Sequence, residues 1–329
     1  MKLSRSLVLS TALALGGCGS SGVRVEPVSV KTAPPGRVLA LVSVSDRGSA
    51  PDDLGPENFE VREGEVALDG RQIGLQVKSL GALRGHEAVV LVDGSRAFTD
   101  AERAPLGRAL AELIDRLRFH QAVTVLAYDG APDLRLIARY PQSEVAPPLN
   151  KDPGLARLLA EKPRDGSSSL YTAIVNGRRA LDARLLKTGL VARVGSLIVV
   201  ARGPDLAGRV DEAQAREALA GQRSYLLKVG TWSTDSSLDW IGSDGVRAAA
   251  SLGTLGSPVD DLARAVDEVF LRGYVVSYCS PARAGRRSLE LVVKLADESG
   301  RERSARAASE FDATGFKGSC PSSLSGTPL

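Results

Sequence analysis

Two short stretches restrict the fold of this 329-residue chain more than any others. Ala88 to Val92 is an unbroken apolar run that ends at Asp93, and Ser196 to Ala201 reads SLIVVA. An apolar run without alternation fits a strand buried on both faces, the situation inside a parallel sheet covered by helices. Helical periodicity separates such runs. Leu106, Leu110, Leu113, Ile114 and Leu117 share one stripe of Ala101 to His120, and Leu170, Ile174, Ala180 and Leu181 share another within Leu170 to Leu186. Val123 to Tyr128, Leu134 to Tyr140 and Tyr225 to Val229 read as further strands. Asp211 to Leu219, Leu238 to Leu252 and Val259 to Leu271 read as helices, and Tyr274 to Tyr278 as the strand closing the series. Strands alternating with helices predict an α/β fold with a doubly wound, mostly parallel sheet.

The flanks alternate apolar and polar residues instead. Arg37 to Asp46, Asn58 to Val61, Glu65 to Leu68 and Gln72 to Leu80 form a small β unit before the sheet. Ser288 to Lys294 and Arg303 to Phe311 form a hairpin around Ser299-Gly300 after it, expected to join the first strands in one flanking β unit from both chain ends.

Composition narrows the function. Forty-two basic and 39 acidic residues give a net charge of +3, so no strong field draws the chain to nucleic acid. Hydrophobic residues at 43% exclude a disordered chain. Two histidines and three cysteines leave little for a zinc site. No Gly-x-Ser-x-Gly elbow and no phosphate-binding Gly-x-x-x-x-Gly-Lys-Ser/Thr loop occurs.

The N-terminus carries Lys2 and Arg5, an apolar run from Leu7 to Leu15, then Gly16, Gly17 and Cys18. That is the layout of a secretory signal, too short in its apolar part to span a bilayer. Leu15-Gly16-Gly17-Cys18 is similar to the bacterial lipoprotein box, which implies acylation of Cys18 and loss of residues 1–17. Gly19 lacks the acidic residue that retains such proteins at the inner membrane, so the resemblance implies the outer membrane, facing periplasm or cell surface. With Cys18 acylated in an oxidising compartment, Cys279 and Cys320 are the expected disulfide. Residues 18–36 read as a lipidated Cys and tether, 37–84 as the β unit, 85–281 as the α/β domain, 282–320 as the C-terminal strands and 321–329 as a tail.

Open α/β sheets carry their sites at the carboxyl ends of strands. Three segments fall there: Asp93-Gly94-Ser95-Arg96-Ala97, Asp165-Gly166-Ser167-Ser168-Ser169-Leu170-Tyr171, and Ala201-Arg202-Gly203-Pro204-Asp205. Their order and spacing resemble the von Willebrand factor type A domain over roughly His86 to Ser280. Asn58 to Gly64 and Gly273 to Tyr278 are similar to segments flanking that domain in some bacterial relatives. The family's adhesion site holds Mg²⁺ or Mn²⁺ on Asp-x-Ser-x-Ser, a Thr and a later Asp. Asp93 and Ser95 match the first two positions, and Ser168 keeps a hydroxyl at the Thr position. Ala97 and Arg202 stand where two ligands are missing. A unit charge ~4 Å away is worth ~4 kcal/mol at an effective dielectric of 20, so Arg202 opposes a divalent ion. The expectation is a degenerate site without a cofactor, with the Arg202 guanidinium either paired to Asp93 in the ion's place or pointing to solvent from its loop. The alternative is metal-dependent adhesion in which Asp205 replaces the missing carboxylate.

The implied function is a non-enzymatic interaction module on a lipid anchor. Arg96, Ser167, Ser169 and Arg202 are the candidate contacts to an unidentified protein or envelope polymer. A hydrolase using Asp93 or Asp165 as base is the less favoured reading. Trp232 and Trp240 are candidates for a sugar face, with rim packing as the plainer reading.

Overall fold

The computed structural model describes residues 22–33, 35–51, 53–96, 98–143, 149, 152–187, 193–297 and 299–317. Cys18, Ala97 and Cys320 lie outside the described residues. Two compact units emerge, one from the chain up to Lys78 and from Tyr274 onward, the other from Ser79 to Gly273.

The first unit begins with β1 (Val23–Ala33), β2 (Arg37–Asp46), β3 (Phe59–Glu63), β4 (Val66–Ala67) and β5 (Gln76–Ser79). The second holds β6 (Glu87–Asp93), α1 (Asp100–His120), β7 (Ala122–Tyr128), β8 (Arg135–Tyr140), α2 (Pro153–Ala160), α3 (Leu170–Lys187), β9 (Gly195–Ala201), α4 (Glu212–Leu219), β10 (Arg223–Val229), β11 (Gly245–Ala249) and α5 (Gly256–Arg272). The chain then returns to the first unit with β12 (Gly273–Cys279), β13 (Arg286–Ala296) and β14 (Glu302–Asp312).

The α/β unit has the expected doubly wound sheet, in the order β11-β10-β9-β6-β7-β8. All its pairs are parallel except β7 with β8, so the sheet ends in one antiparallel edge strand. β6 is buried along its whole length, and only the first residue of β9 escapes burial, as their unbroken apolar sequences demand. From β6 the winding runs outward to β7 and β8, then reverses through β9 to β10 and β11. The reversal opens a crevice beyond the carboxyl ends of β6 and β9, the place where ligands bind in such sheets. On one face α3 packs closely against the sheet: a Cβ at Gly177 would stand 2.9 Å from Leu91 Cδ1.

The β unit contains two sheets, β1-β2-β12-β5 and β14-β13-β3-β4. Their core is written in period two: Val38, Ala40, Val42 and Val44 of β2 and Tyr274, Val276 and Tyr278 of β12 share one cluster with Leu289, Leu291 and Val293 of β13. β13 pairs with β3, which joins the two ends of the chain in one sheet.

Three sequence expectations are corrected here. Residues 23–33 are not tether but an 11-residue strand antiparallel to β2. Val23 and Val25 alternate into the core, and the pairing shifts register between Pro27 and Ser29. Proline has no N–H to give a ladder, and an irregularity on an edge strand accommodates it. Second, Tyr274 to Tyr278 does not close the parallel sheet; it lies between β2 and β5. A strand covered on both faces reads the same in either sheet, so its apolar run did not discriminate. Third, Leu238 to Leu252 is no helix. It splits into a short 3-10 turn at Asp239–Gly242, strand β11 and a second 3-10 turn beginning at Leu252. Asp244-Gly245 interrupts the helical period, and the five residues from Gly245 to Ala249 pair with β10.

Candidate functional site

Asp93 ends β6 and is 1% exposed. Its Oδ1 accepts the Ser95 backbone N–H at 2.9 Å, which folds the chain back over the strand end. Its Oδ2 accepts the backbone N–H of Arg202 at 3.0 Å, across the β6–β9 crevice. Each oxygen of this buried carboxylate therefore has a backbone donor.

The Arg202 side chain goes elsewhere, contrary to the expected pairing with Asp93. One terminal nitrogen donates to the Arg96 carbonyl at 2.7 Å, and the other lies 3.5 Å from Glu102 Oε1. The guanidinium sits 4.5 Å from the centroid of the Phe98 ring. The physical reason is competition. Asp93 is already satisfied by N–H groups, whereas Glu102, a carbonyl and an aromatic face together suit a planar cation. Glu102 is itself fixed, because its Oε2 accepts from the N–H and Oγ of Thr99 at 2.8 and 2.9 Å. This capping box at the start of α1 holds Glu102 below the usual carboxylate range, chiefly through the Thr99 N–H. Arg202 thus ties the β9–α4 loop to the β6–α1 loop.

The Ser167–Ser169 loop reaches the same edge of the sheet. Asp129, at the end of β7, accepts the N–H groups of Ala131 at 2.9 Å and Arg164 at 3.0 Å, and the Arg164 guanidinium at 3.3 Å. Burial works to raise its pKa, and these donors outweigh it, so the group stays below its ordinary value. The Ser169 N–H donates to the Asp129 carbonyl at 3.2 Å. Asp165 Oδ1 accepts both the N–H and the Oγ of Ser167 at 2.9 and 2.8 Å, which lowers its pKa. Asp205 accepts the Tyr171 N–H at 3.1 Å and the Gly208 N–H at 2.9 Å. It therefore caps the first turn of α3.

Of the four expected contact residues, Arg96 is exposed and Arg202 and Ser167 are half-buried. Ser169 is 1% exposed and lies beneath the surface, not on it. Its Oγ, the Ser168 Oγ and the Tyr128 hydroxyl are buried with no hydrogen-bond partner. Burial drives the Tyr128 hydroxyl far above its ordinary pKa, and the charges of Asp93 and Asp205 add to this.

These donors do not match a divalent cation. The one carboxylate matching the motif already accepts two N–H groups, and Arg202 supplies no second carboxylate. Mg²⁺ needs an octahedral shell of hard oxygens with charge to spare. Among the described residues no group of three or more His, Cys, Asp or Glu could hold a metal.

The tryptophans take the plainer role. Trp232 donates Nε1 to the Val229 carbonyl at 2.9 Å, and the Arg216 guanidinium covers the Trp240 ring at 4.2 Å. Both rings pack against the core under α3 and α4. Phe98, Thr99 and Glu102 are site residues that the sequence reading passed over. Thr99-x-x-Glu102 was the available signal, being a helix-start pattern one residue from the motif.

Fold and site together describe a doubly wound α/β module in which an arginine joins two loops at the carboxyl edge of the sheet. No family model and no curated protein matches the chain. Among solved structures, it is similar to proximal thread matrix protein 1 of the mussel byssus, at 15% identity over 56% of this chain and 48% of that one, with a TM-score of 0.44. A von Willebrand factor type A protein from Catenulispora acidiphila is 12% identical over 87% and 72% of the two chains, with a TM-score of 0.40. The pilus adhesin SpaC of Lactobacillus rhamnosus GG is 10% identical over 89% and 41%, with a TM-score of 0.39. The chain spans about half the length of the mussel protein. At these values the likenesses add nothing to what sheet order and site geometry say.

Proposed function

We propose that this is a lipid-anchored protein of the bacterial cell envelope, held at the outer membrane through Cys18, whose α/β unit binds a protein partner without a divalent cation. The binding surface is the carboxyl edge of the sheet, made by the loops after Asp93, before Leu170 and after Ala201. The Arg202 tie carries this reading. A guanidinium that grips Arg96, Glu102 and Phe98 fixes two of the three loops without an ion, which leaves the edge preformed for recognition.

The hydrolase alternative finds little support in the chemistry. Asp93 is engaged by two N–H groups, and Asp165 is held below the ordinary carboxylate range by Ser167 and Arg209, which makes Asp165 a poor base near neutral pH. Among the described residues no helix is long and apolar enough to cross a membrane. Cys279 and Cys320 are proposed to form the disulfide.

A photo-crosslinking side chain placed at Pro204 in the full chain, in its own cells, tests the reading. Pro204 is exposed on the loop after β9. A discrete adduct insensitive to chelator is expected there, and none from the exposed Arg108 on the outer face of α1. No adduct at position 204 contradicts the proposal, and an adduct lost with chelator supports the metal-dependent alternative instead.

A further inference from the structure

We infer that the recognition edge takes an acidic, extended segment of its protein partner, with one carboxylate seated on the Arg96 guanidinium. This rests on the proposed binding role and adds the chemistry of the partner. A groove of about 330 Å³ lies at this edge, lined by Arg96 and Glu102, by Arg202, and by the segments that follow β10 and β11. Gly230, Ser251 and Gly253 belong to those segments.

The charge in this groove is not balanced. Among the described residues that line it Glu102 is the only carboxylate, and three donors already hold it: Arg202 and both donors of Thr99. Arg202 spends its charge on Glu102. The exposed Arg96 guanidinium has no partner among the described residues, although its carbonyl is held by Arg202. One guanidinium therefore stands at the mouth of the groove on a backbone fixed from behind. That is the arrangement in which a planar cation binds a carboxylate through two parallel hydrogen bonds with little ordering cost.

The segments after β10 and β11 admit a main chain. A Cβ at Gly230 would meet nothing within 4 Å, and its φ of +99° disfavours any side chain there. A Cβ at Gly253 would meet only Ser251 Oγ, at 3.6 Å. At these two glycines the lining carries no side chain, so a partner's main chain can come close there.

The test is an NMR titration of the full chain with a hexaglutamate peptide at low salt, with hexalysine and inorganic phosphate as comparators. Hexaglutamate is expected to shift the amides of Gly230, Thr231, Ser251 and Gly253 together, and hexalysine to shift none. Arg96→Glu should abolish the shifts. Arg96→Ala should weaken binding by ~10-fold or more, the usual worth of a charge-assisted hydrogen bond. Gly253→Leu, which blocks the groove without changing charge, should abolish them too. Shifts that persist in Arg96→Glu, or phosphate binding as tight as the peptide, overturn the inference. The crosslink at position 204 keeps the two readings apart. An adduct unchanged by Arg96→Glu, with no hexaglutamate shift, sinks the acidic partner and leaves the interaction surface standing.

Discussion

Single residues set the chemistry here by what they are already bound to. Arg202 was legible in the sequence as a cation in a carboxylate's place. Its partner was not, because the choice depended on Glu102 and Phe98, brought close only when α1 starts at Asp100. The same holds for Asp205, whose two oxygens are used in capping α3. His86 shows how a residue outside the site acts on stability. It is fully buried; its Nδ1 accepts the Val194 N–H at 3.0 Å, and its Nε2 lies 3.1 Å from the Leu80 carbonyl. Burial, with a lesser push from His120, lowers its pKa to about 4 from 6.5. A lowered histidine means that the unfolded chain takes up the proton first. Stability is thus complete above pH 6.5 and falls as pH drops toward 4, by up to about 3 kcal/mol from this one group. Urea unfolding of the α/β unit at pH 7 and pH 4.5 should show that loss, and His86→Phe should flatten it. An equal pH dependence in the variant would show that another group is responsible.

Elements were readable where the pattern was long and unambiguous. β6, β9, α1 and α3 lie within a residue or two of their expected spans, because their short β-branched apolar runs are bounded by Asp-Gly and Gly-Pro and their stripes persist over four turns. The failures share a cause. β1 was hidden by Ser, Pro and Lys on its exposed side, although Val23 and Val25 marked the buried one. β11 was hidden because a five-residue strand flanked by 3-10 turns resembles an interrupted helix. That second failure also concealed half of the groove, since Gly230, Ser251 and Gly253 follow β10 and β11. The strand assignment of β1 has a direct consequence. Burying Val23 and Val25 is worth about 3–6 kcal/mol by transfer alone, a large part of a domain's stability. Deleting residues 22–36 should also open the edge of β2, and is expected to lower the thermal midpoint of the β unit sharply. An unchanged midpoint would restore these residues to the role of tether.

At the scale of the molecule, the chain makes its β unit from both ends and inserts the α/β unit between Lys78 and Tyr274. The alternation of elements fixed the doubly wound sheet in advance, and the reversal of winding at β6 and β9 fixed where its site must lie. What the sequence could not show was how the site is held together, since that is a matter of three contacts around one guanidinium. The account therefore depends on an edge that is complete without an ion. Isothermal titration of the full chain with Mg²⁺ and Mn²⁺ tests this most directly. No binding heat above dilution is expected with either ion, whereas micromolar binding abolished by Asp93→Ala would contradict it.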